Sequence, residues 1–584
     1  MSPPFRRVLV ANRGEIAIRV FRALRELGCE SVAVYSEADR AALHVRLADD
    51  ARLIGPGAPS QSYLSIERIL EAARASGAEA IHPGYGFLAE NAAFARACDE
   101  AGIVWIGPPA DAIEAMGSKI ESRRRMAAAG VPVVPGTTDR VTTAEKVIEL
   151  GDSLGWPIAI KASAGGGGRG LKVVRGPDEA ERALASAERE GEAYFADGAV
   201  YVERYIDDPR HVEIQVLADR QGAVIHLGER DCTLQRRHQK VVEESPSPAV
   251  DDDLRERMGA MAVAAAKAVG YVSAGTVECL VDPQGSFFFL EMNTRIQVEH
   301  SVTELVTGVD LVRAQIEIAA GAPLELAQAD VRLRGHAFEC RVNAEDAGAG
   351  FVPVPGRITR YREPGGPGVR VDSGVEEGAD VVGLYDPMIA KLLVWDSDRP
   401  RAMARMRRAL DEFEIEGVPT LLPLHRLIFA HPAFAAGETC AGLVEGELAA
   451  QLAPAGPAAP PSAPAIARRI EVELDGRRHE VRVLEPVVAE LAAERARRSE
   501  RRARGRQAGA GGDAIASPMQ GTVLRVEVSE GDPVESGKVL VIVEAMKMEN
   551  EIAADRPGVV SDLRVAPGDA VRSGQVLLSV VDGA

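Results

Sequence analysis

Cysteine is scarce and scattered in this chain: six residues in 584, at 29, 98, 232, 279, 340 and 440, with no C-x-x-C pair. That spacing argues against both a disulfide framework and a zinc site and leaves six buried thiols. No apolar run is long enough to cross a bilayer, and the N-terminus carries no signal-peptide pattern, so a soluble cytoplasmic protein with no membrane partner is expected. Positive charge is also in short supply, with 68 Lys and Arg against 87 Asp and Glu and a formal net charge of -19. Neutralising a phosphate backbone needs clustered Lys and Arg, so nucleic acid is excluded as a partner of the whole chain. A chain of 584 residues outgrows a single hydrophobic core, and three or four domains with a visible linker are expected.

The first 35 residues read strand, helix, strand: RRVLVA, EIAIRVFRALRELG with apolar residues at helical spacing, and SVAVYS. More alternation through AIHPGYG and IVWIG predicts an α/β domain over residues 1–118. A mixed segment richer in hairpins follows over 119–320, and another α+β piece over 321–447. The stretch PAGPAAPPSAPAIA is almost only Ala and Pro, cannot bury a core, and predicts an extended spacer within 448–468. Residues 469–510 hold a predicted hairpin around Asp475-Gly476 and then an arginine-rich run, with seven arginines between 495 and 506. That run reads as a solvated helical linker or as a partner-docking helix. Residues 511–584 contain an internal repeat, GTVLRVEVSEGDPVESGKVLVIV answered by GVVSDLRVAPGDAVRSGQVLLSV. Two such halves predict one quasi-symmetric β sandwich.

Three stretches of the middle segment carry chemistry. In GTVECLVDPQGSFFFLEMNTRIQVEH, two predicted strands joined through Asp282-Pro283-Gln284-Gly285 place Glu278 directly opposite Glu291 or diagonal to it on the same sheet face. Paired carboxylates repel, and a divalent cation removes that penalty. The oxygen-only set of Glu278, Glu291 and Asn293 suits Mg²⁺ or Mn²⁺ bridging nucleotide phosphates. An extended chain would also project Glu291, Asn293, Arg295, Gln297 and Glu299 one way. In PIAIKASAGGGGRGLKVV, the glycines 165, 166, 167 and 168 form a predicted hairpin tip able to fold over phosphates, with Lys161 and Arg169 beside it. It lacks the G-K-[ST] of a Walker loop. In ERDCTLQRRHQKVVEE, Arg236, Arg237, His238 and Lys240 predict a phosphate or bicarbonate site, with Cys232 a candidate nucleophile.

The order of these pieces, with N-R-G-E-I-A, H-P-G-Y-G-F-L-A-E-N and G-H-A-F-E-C-R-V-N-A-E-D, resembles biotin carboxylases of the ATP-grasp superfamily. E-A-M-K-M between the repeat halves resembles the biotinyl domain of biotin carboxyl carrier proteins. The whole chain is similar to α subunits of bacterial acyl-CoA carboxylases of the acetyl- or propionyl-CoA type. The implied fold is a multidomain α/β and α+β ATP-grasp carboxylase followed by an all-β barrel-sandwich domain. The resemblance implies that Lys119, Lys161, Gly165, Gly166, Gly167, Gly168, Glu203, Ile206, His211, Gln235 and His238 bind ATP. It implies Glu278, Glu291 and Asn293 as metal ligands, and Glu299 as the base that deprotonates bicarbonate. Arg295, Gln297 and Val298 would hold bicarbonate, Arg341 would stabilise the enolate-like biotin, Lys240 would join the catalytic set, and Lys547 would carry biotin. The implied partners are biotin protein ligase and a carboxyltransferase (β) subunit, in an oligomeric assembly. Three positions depart from the family pattern: Ala164 for a frequent Gly, Arg204 for a frequent Lys, and Ser301 for a frequent Pro.

Lipoyl domains share the architecture but usually lack methionines on both sides of the lysine. Carboxylate–amine ligases share the ATP-grasp fold but need no biotinyl lysine. Between the carboxylase and biotinyl domains there are too few residues for a carboxyltransferase, and acetyl-, propionyl-, longer acyl- and methylcrotonyl-CoA remain open as acceptors.

Overall fold

In the computed structural model the described residues are 3–137, 139–162, 171–195, 198–454, 467–474, 477–484, 514–519, 521–545, 548–572 and 574–581. Gly165, Gly166, Gly167 and Gly168, spacer residues 455–466, the arginine-rich run 495–506, and Met546 and Lys547 lie outside them. The chain divides into two compact units, Met1–Val382 with Met388–Ala453 in one and the C-terminal part in the other.

The N-terminal residues form a five-stranded parallel sheet in the order Asp50–Gly55, Glu30–Ser36, Arg7–Val10, Ala80–His82, Val104–Trp105. The crossover helix Gly14–Glu26 buries Ile16, Ala17, Val20, Phe21 and Leu24, spaced three and four apart, against the sheet. The strand Asp50–Gly55 is absent from the sequence reading because it lies at the sheet edge and buries only Ile54, so it shows no apolar alternation. Strand order reverses between Arg7–Val10 and Ala80–His82, where the Asn12 side chain after the first strand donates to the Pro83 and Tyr85 carbonyls after the second, each at 2.7 Å. Gly84 is required there: its φ is +62, and a Cβ would stand 2.9 Å from Nδ2 of Asn12.

A small antiparallel sheet of Ile158–Ala162, Leu171–Val174 and Val200–Arg204 follows, so both flanks of the glycine run are strands as expected. The largest sheet has eight antiparallel strands in the order Phe287–Asn293, Ser273–Val281, Arg210–Ala218, Val224–Asp231, Val242–Ser245, His336–Asn343, Met388–Asp396, Val369–Ser373. It runs continuously across residue 320, because Val242 to Ser245 pair with Cys340 to Ala337. Helix Asp252–Ala268 packs on its first strands, and Arg399–Glu412 and Leu422–Ala430 pack on its last.

Strands Ala467–Leu474 and Arg477–Leu484 pair antiparallel, as the hairpin reading expects. Past residue 513 two four-stranded sheets form, ordered Ala514–Ala516, Val576–Val581, Gly558–Ser561, Pro533–Val534 and Met548–Ala553, Val539–Ala545, Gly521–Val526, Ala570–Val571. Each repeat half lends its short strand to the other half's sheet: Pro533–Val534 pairs with Gly558–Ser561, and Ala570–Val571 with Gly521–Val526. Leu540, Val541, Val543, Leu577, Leu578 and Val580 are buried between the sheets. That exchange is why neither half can close a core alone.

Candidate active site

Sheet register builds the site. Strand Arg210–Ala218 carries His211, Glu213 and Gln215 on one face, and Glu213 pairs with Arg230 on one side and Glu278 on the other. Glu278 in turn lies directly opposite Glu291. Arg230, Glu213, Glu278 and Glu291 therefore form a row across four adjacent strands. The Glu278–Glu291 alignment needs more than the expected turn: the loop spans 282–286, closed by Asp282 N donating to the Ser286 carbonyl at 2.8 Å, and a bulge after Glu278 restores the register.

Carboxylates in such a row repel unless cations intervene. Arg230, wholly buried, donates all five N–H groups: to Glu213 at 2.6 Å, Gln215 at 2.7 Å, Thr303 at 2.9 Å, Thr276 at 3.0 Å and Gln297 at 2.6 Å. Lys240 Nζ donates to Glu213 at 2.5 Å, to Glu278 at 3.1 Å and to Glu299. Lys119 bonds Glu291, and Lys161 bonds Glu203, whose other oxygen takes Arg123 at 3.0 Å. His211 Nε2 stands 2.9 Å from Glu278; burial opposes its protonation, but Glu278 and Glu213 together more than offset it and raise its pKa.

The expected one-sided projection from Glu291 to Glu299 is corrected. The strand ends at Asn293 and residues 294–299 turn back, since Ile296 seats in the N-terminal domain's core. Gln297 and Glu299 still reach the carboxylate row, by the turn rather than by strand alternation. Gln297 donates to Glu278 at 2.9 Å, and Asn293 donates to the same oxygen at 2.8 Å. Arg295 is held by Glu90 at 2.9 Å and by the Asn293 side-chain oxygen at 3.0 Å. Glu299 is clamped between Lys240 and Arg341, whose Nη2 donates at 2.9 Å, while Arg341 Nε donates to Glu243 at 2.6 Å. Burial alone would raise the Glu299 pKa, but Lys240, Arg341 and Arg230 hold it well below the usual carboxylate range, so it is ionised.

Two further expectations are corrected. The cluster at 236–240 splits: Lys240 enters the carboxylate row, whereas Arg236 turns away, stacks on Phe351 at 4.5 Å and donates to the Gly350 carbonyl at 2.8 Å. Cys232 is buried, and burial with nearby Glu213 pushes its thiol well above the usual range, leaving no thiolate for attack. Gln235 donates to the Cys232 carbonyl at 2.8 Å, and exposed His238 sits on a left-handed bend with φ +63. Ile206 lines a cavity of about 370 Å³ with Pro135, Trp156, Arg204, Tyr205 and Phe288.

Glu213, Arg230, Glu90 and Glu243 were not singled out from sequence. R-H-V-E-I-Q-V-L-A did hold a signal: polar residues at every second position of a strand that is otherwise apolar. Glu278, Glu291 and Asn293 offer only hard oxygen donors on adjacent strands, a set that fits Mg²⁺ or Mn²⁺. His211, Glu213 and Glu278, whose ligand atoms lie within 4.8 Å of one another, are a second acidic grouping, one whose charge Lys240 already meets.

The geometry defines an ATP-grasp ligase joined to a β carrier domain, and sequence comparison agrees. Family models match residues 4–113 (biotin carboxylase, N-terminal domain), 118–327 (carbamoyl-phosphate synthase L chain, ATP binding domain), 339–446 (biotin carboxylase C-terminal domain) and 513–580 (biotin-requiring enzyme). The biotin-dependent acyl-coenzyme A carboxylase alpha3 subunit of Mycobacterium leprae is 47% identical over 566 residues, 94% of each chain. Biotin carboxylase 1 of Bacillus subtilis is 53% identical over 74% of this chain and 96% of its own. A solved biotin carboxylase domain of Hydrogenobacter thermophilus 2-oxoglutarate carboxylase, in complex with MgADP, ADP and bicarbonate, superposes with a TM-score of 0.73 at 49% identity, covering 76% of this chain and 97% of that one. The chain belongs to the biotin carboxylase family and carries a biotinyl domain. It carboxylates biotin at the expense of ATP, with biotin, ATP and Mg²⁺ or Mn²⁺ as cofactors.

Proposed function

We propose that this chain is the α subunit of an acyl-CoA carboxylase: it charges the biotin on Lys547 and delivers the carboxyl group to a separate carboxyltransferase subunit. The observation that carries this reading is one chain holding both the ATP-grasp site and a biotinyl domain whose strands Val539–Ala545 and Met548–Ala553 pair antiparallel, Ala545 opposite Met548, with Met546 and Lys547 between them in the sequence. The match along nearly the whole length of a mycobacterial acyl-CoA carboxylase α subunit supports it. Acetyl- or propionyl-CoA is the acceptor class proposed. Biotin protein ligase would modify Lys547, and a cytoplasmic, oligomeric assembly fits ATP use and six free, buried thiols.

Within the site, Lys119, Lys161, Gly165, Gly166, Gly167, Gly168, Glu203, Ile206, His211, Gln235 and His238 hold the nucleotide. Glu278, Glu291 and Asn293 hold a divalent cation, which when bound neutralises phosphate charge. Arg295, Gln297 and Val298 would seat bicarbonate beside Glu299. Glu299, ionised between Lys240 and Arg341, accepts the bicarbonate proton as a bicarbonate oxygen attacks the γ-phosphorus of ATP and the bond to ADP breaks, giving carboxyphosphate and ADP. Arg341, tied to Glu243 and Glu299, presents fixed positive charge to the acceptor. Biotin, when bound, would supply the ureido nitrogen that gives up its proton and takes the carboxyl group from carboxyphosphate, with inorganic phosphate leaving.

A transfer assay tests the two-subunit reading. Homogeneous biotinylated protein, ATP and labelled bicarbonate should label protein-bound biotin and should transfer nothing to acetyl- or propionyl-CoA until a carboxyltransferase is added. Labelled CoA product without a partner would sink that reading.

A further inference from the structure

The segment 297–301 turns sharply, yet its backbone carbonyls are pinned. His300 Nδ1 lies 2.7 Å from the Gln297 carbonyl, which fixes that nitrogen as the donor. The next carbonyl, of Val298, accepts from Lys391 Nζ at 2.7 Å. Lys391 has no solvent exposure and sits directly opposite Arg341 in the sheet, with Asp372 opposite on its other side. Two cations facing each other across a buried ladder is a costly arrangement. It is relieved because they diverge: Arg341 turns to Glu243 and Glu299, and Lys391 turns to Val298, to Ser301 Oγ at 3.0 Å, and toward Glu15 at 3.6 Å and Asp372 at 3.8 Å. The two side chains thus grip consecutive residues, one by the Glu299 carboxylate and the other by the Val298 carbonyl. Ser301 also donates to Asp372 at 3.3 Å, a tie that proline could not make.

We propose that Lys391 is a positioning residue for bicarbonate activation: by fixing the Val298 carbonyl it sets the plane of the Val298–Glu299 peptide, and so the place where Glu299 meets bicarbonate. It touches neither nucleotide nor metal ligands, and acts only through the turn. This rests on the reading of Glu299 as base and of Gln297 and Val298 as bicarbonate contacts. A single ammonium donating to a carbonyl in a dry pocket is a strong restraint, and a misplacement of about 1 Å in a base can cost about 10²-fold in rate.

The test uses the full chain, free biotin, and ATP hydrolysis followed against bicarbonate concentration. Lys391→Met should lower kcat at least tenfold and raise KM for bicarbonate severalfold, with the Mg-ATP dissociation constant, read by calorimetry, within about twofold of the parent. Because Lys391→Met strands Glu15, the double variant Lys391→Met, Glu15→Gln serves as the folded test, since Asp372 keeps Arg370 at 2.7 Å and 3.0 Å. Lys391→Arg, retaining a cationic donor, should recover part of the loss. A folded double variant with parental kcat and parental KM for bicarbonate overturns the proposal, as does a loss confined to Mg-ATP affinity. Glu299→Gln run alongside separates the layers: if it too turns over normally, the base assignment has failed, whereas an inactive Glu299→Gln beside a normal double variant condemns the role of Lys391 alone.

Discussion

Replacing Glu299 with Gln should stop chemistry without loosening nucleotide. Gln keeps the shape and one acceptor oxygen but loses the charge and the capacity to take a proton. Neither cation around it is stranded, since Lys240 keeps Glu213 at 2.5 Å and Glu278 at 3.1 Å, and Arg341 keeps Glu243 at 2.6 Å. The site should therefore stay assembled. A positioned general base contributes about 10²–10⁴ in rate, roughly 3–5 kcal/mol of barrier, and kcat for bicarbonate-dependent ATP hydrolysis should fall by that factor. Glu291→Gln should fail differently. Its carboxylate bonds Lys119 and faces Glu278, so on the proposed reading its loss would remove a charged ligand from the nucleotide's cation. A charged hydrogen bond is worth about 1.5–3 kcal/mol, which predicts a Mg-ATP dissociation constant raised roughly 10- to 100-fold. Calorimetric titration of Mg-ATP into each variant, with steady-state turnover at saturating nucleotide, separates the two. Equal loss of nucleotide affinity in both would refute this division of labour.

Arg230→Met should destabilise the carboxylase unit by about 3–5 kcal/mol, because it removes one of the three cations beside the buried carboxylates, leaving Glu213 with Lys240 alone, and takes the donor from Gln215, Thr276, Gln297 and Thr303. Urea unfolding followed by tryptophan emission reads this directly, all three tryptophans lying at or before residue 395. Glu243 gives a pH prediction: burial pushes its carboxyl up to about 7 against the pull of Arg341. A folded acid weaker than the unfolded one binds more protons when folded, so this group lowers stability as pH rises from about 4.5 to about 7 and adds no slope above that. Turnover should instead rise about a midpoint near pH 7, where the folded carboxyl ionises and locks Arg341, and Glu243→Gln should flatten both profiles. Lys547→Arg should abolish avidin binding while ATP hydrolysis driven by free biotin persists; residual avidin reactivity would place biotin elsewhere.

Local signals made much of this fold legible. Period-two and helical patterns placed Arg7–Val10, Gly14–Glu26 and Glu30–Ser36, and the internal repeat announced the paired sheets after residue 513. The opposition of Glu278 and Glu291 could be read because a hairpin turn limits register to few choices. Its loop length could not, since a bulge absorbs an extra residue without disturbing the face. The row's other members were hidden for a different reason. Glu213 meets Glu278 across strands whose pairing is set by the whole sheet, and Lys391 meets Val298 from more than ninety positions away. No local pattern encodes such meetings. The same limit explains Arg236, which sequence grouped with Lys240 by proximity along the chain: the two lie on paired strands, with Lys240 opposite Gln235, so Arg236, one residue on, leaves by the other face.

Charge balance explains how so acidic a site holds together. Glu213, Glu243, Glu278 and Glu299 are four buried carboxylates, and Lys240, Arg230 and Arg341 are three permanent cations beside them. The excess negative charge is reduced by His211, whose pKa Glu278 helps to raise, and by the upward shift of Glu243. Near neutrality in a dry interior avoids the several kcal/mol that each uncompensated ion would cost. It also dictates what can enter. A nucleotide alone would add phosphate charge that the committed cations could meet only by leaving their partners, whereas a nucleotide arriving with a divalent cation brings most of its own compensation. On the proposed reading Glu278 and Glu291 would hold that cation, and Lys119 and Lys240, which now bond them, would be the groups free to face phosphate oxygens. The lysines of the site are thus already within reach of the charges they would meet, and the cost of moving them is small because each carboxylate loses one cation as it gains another.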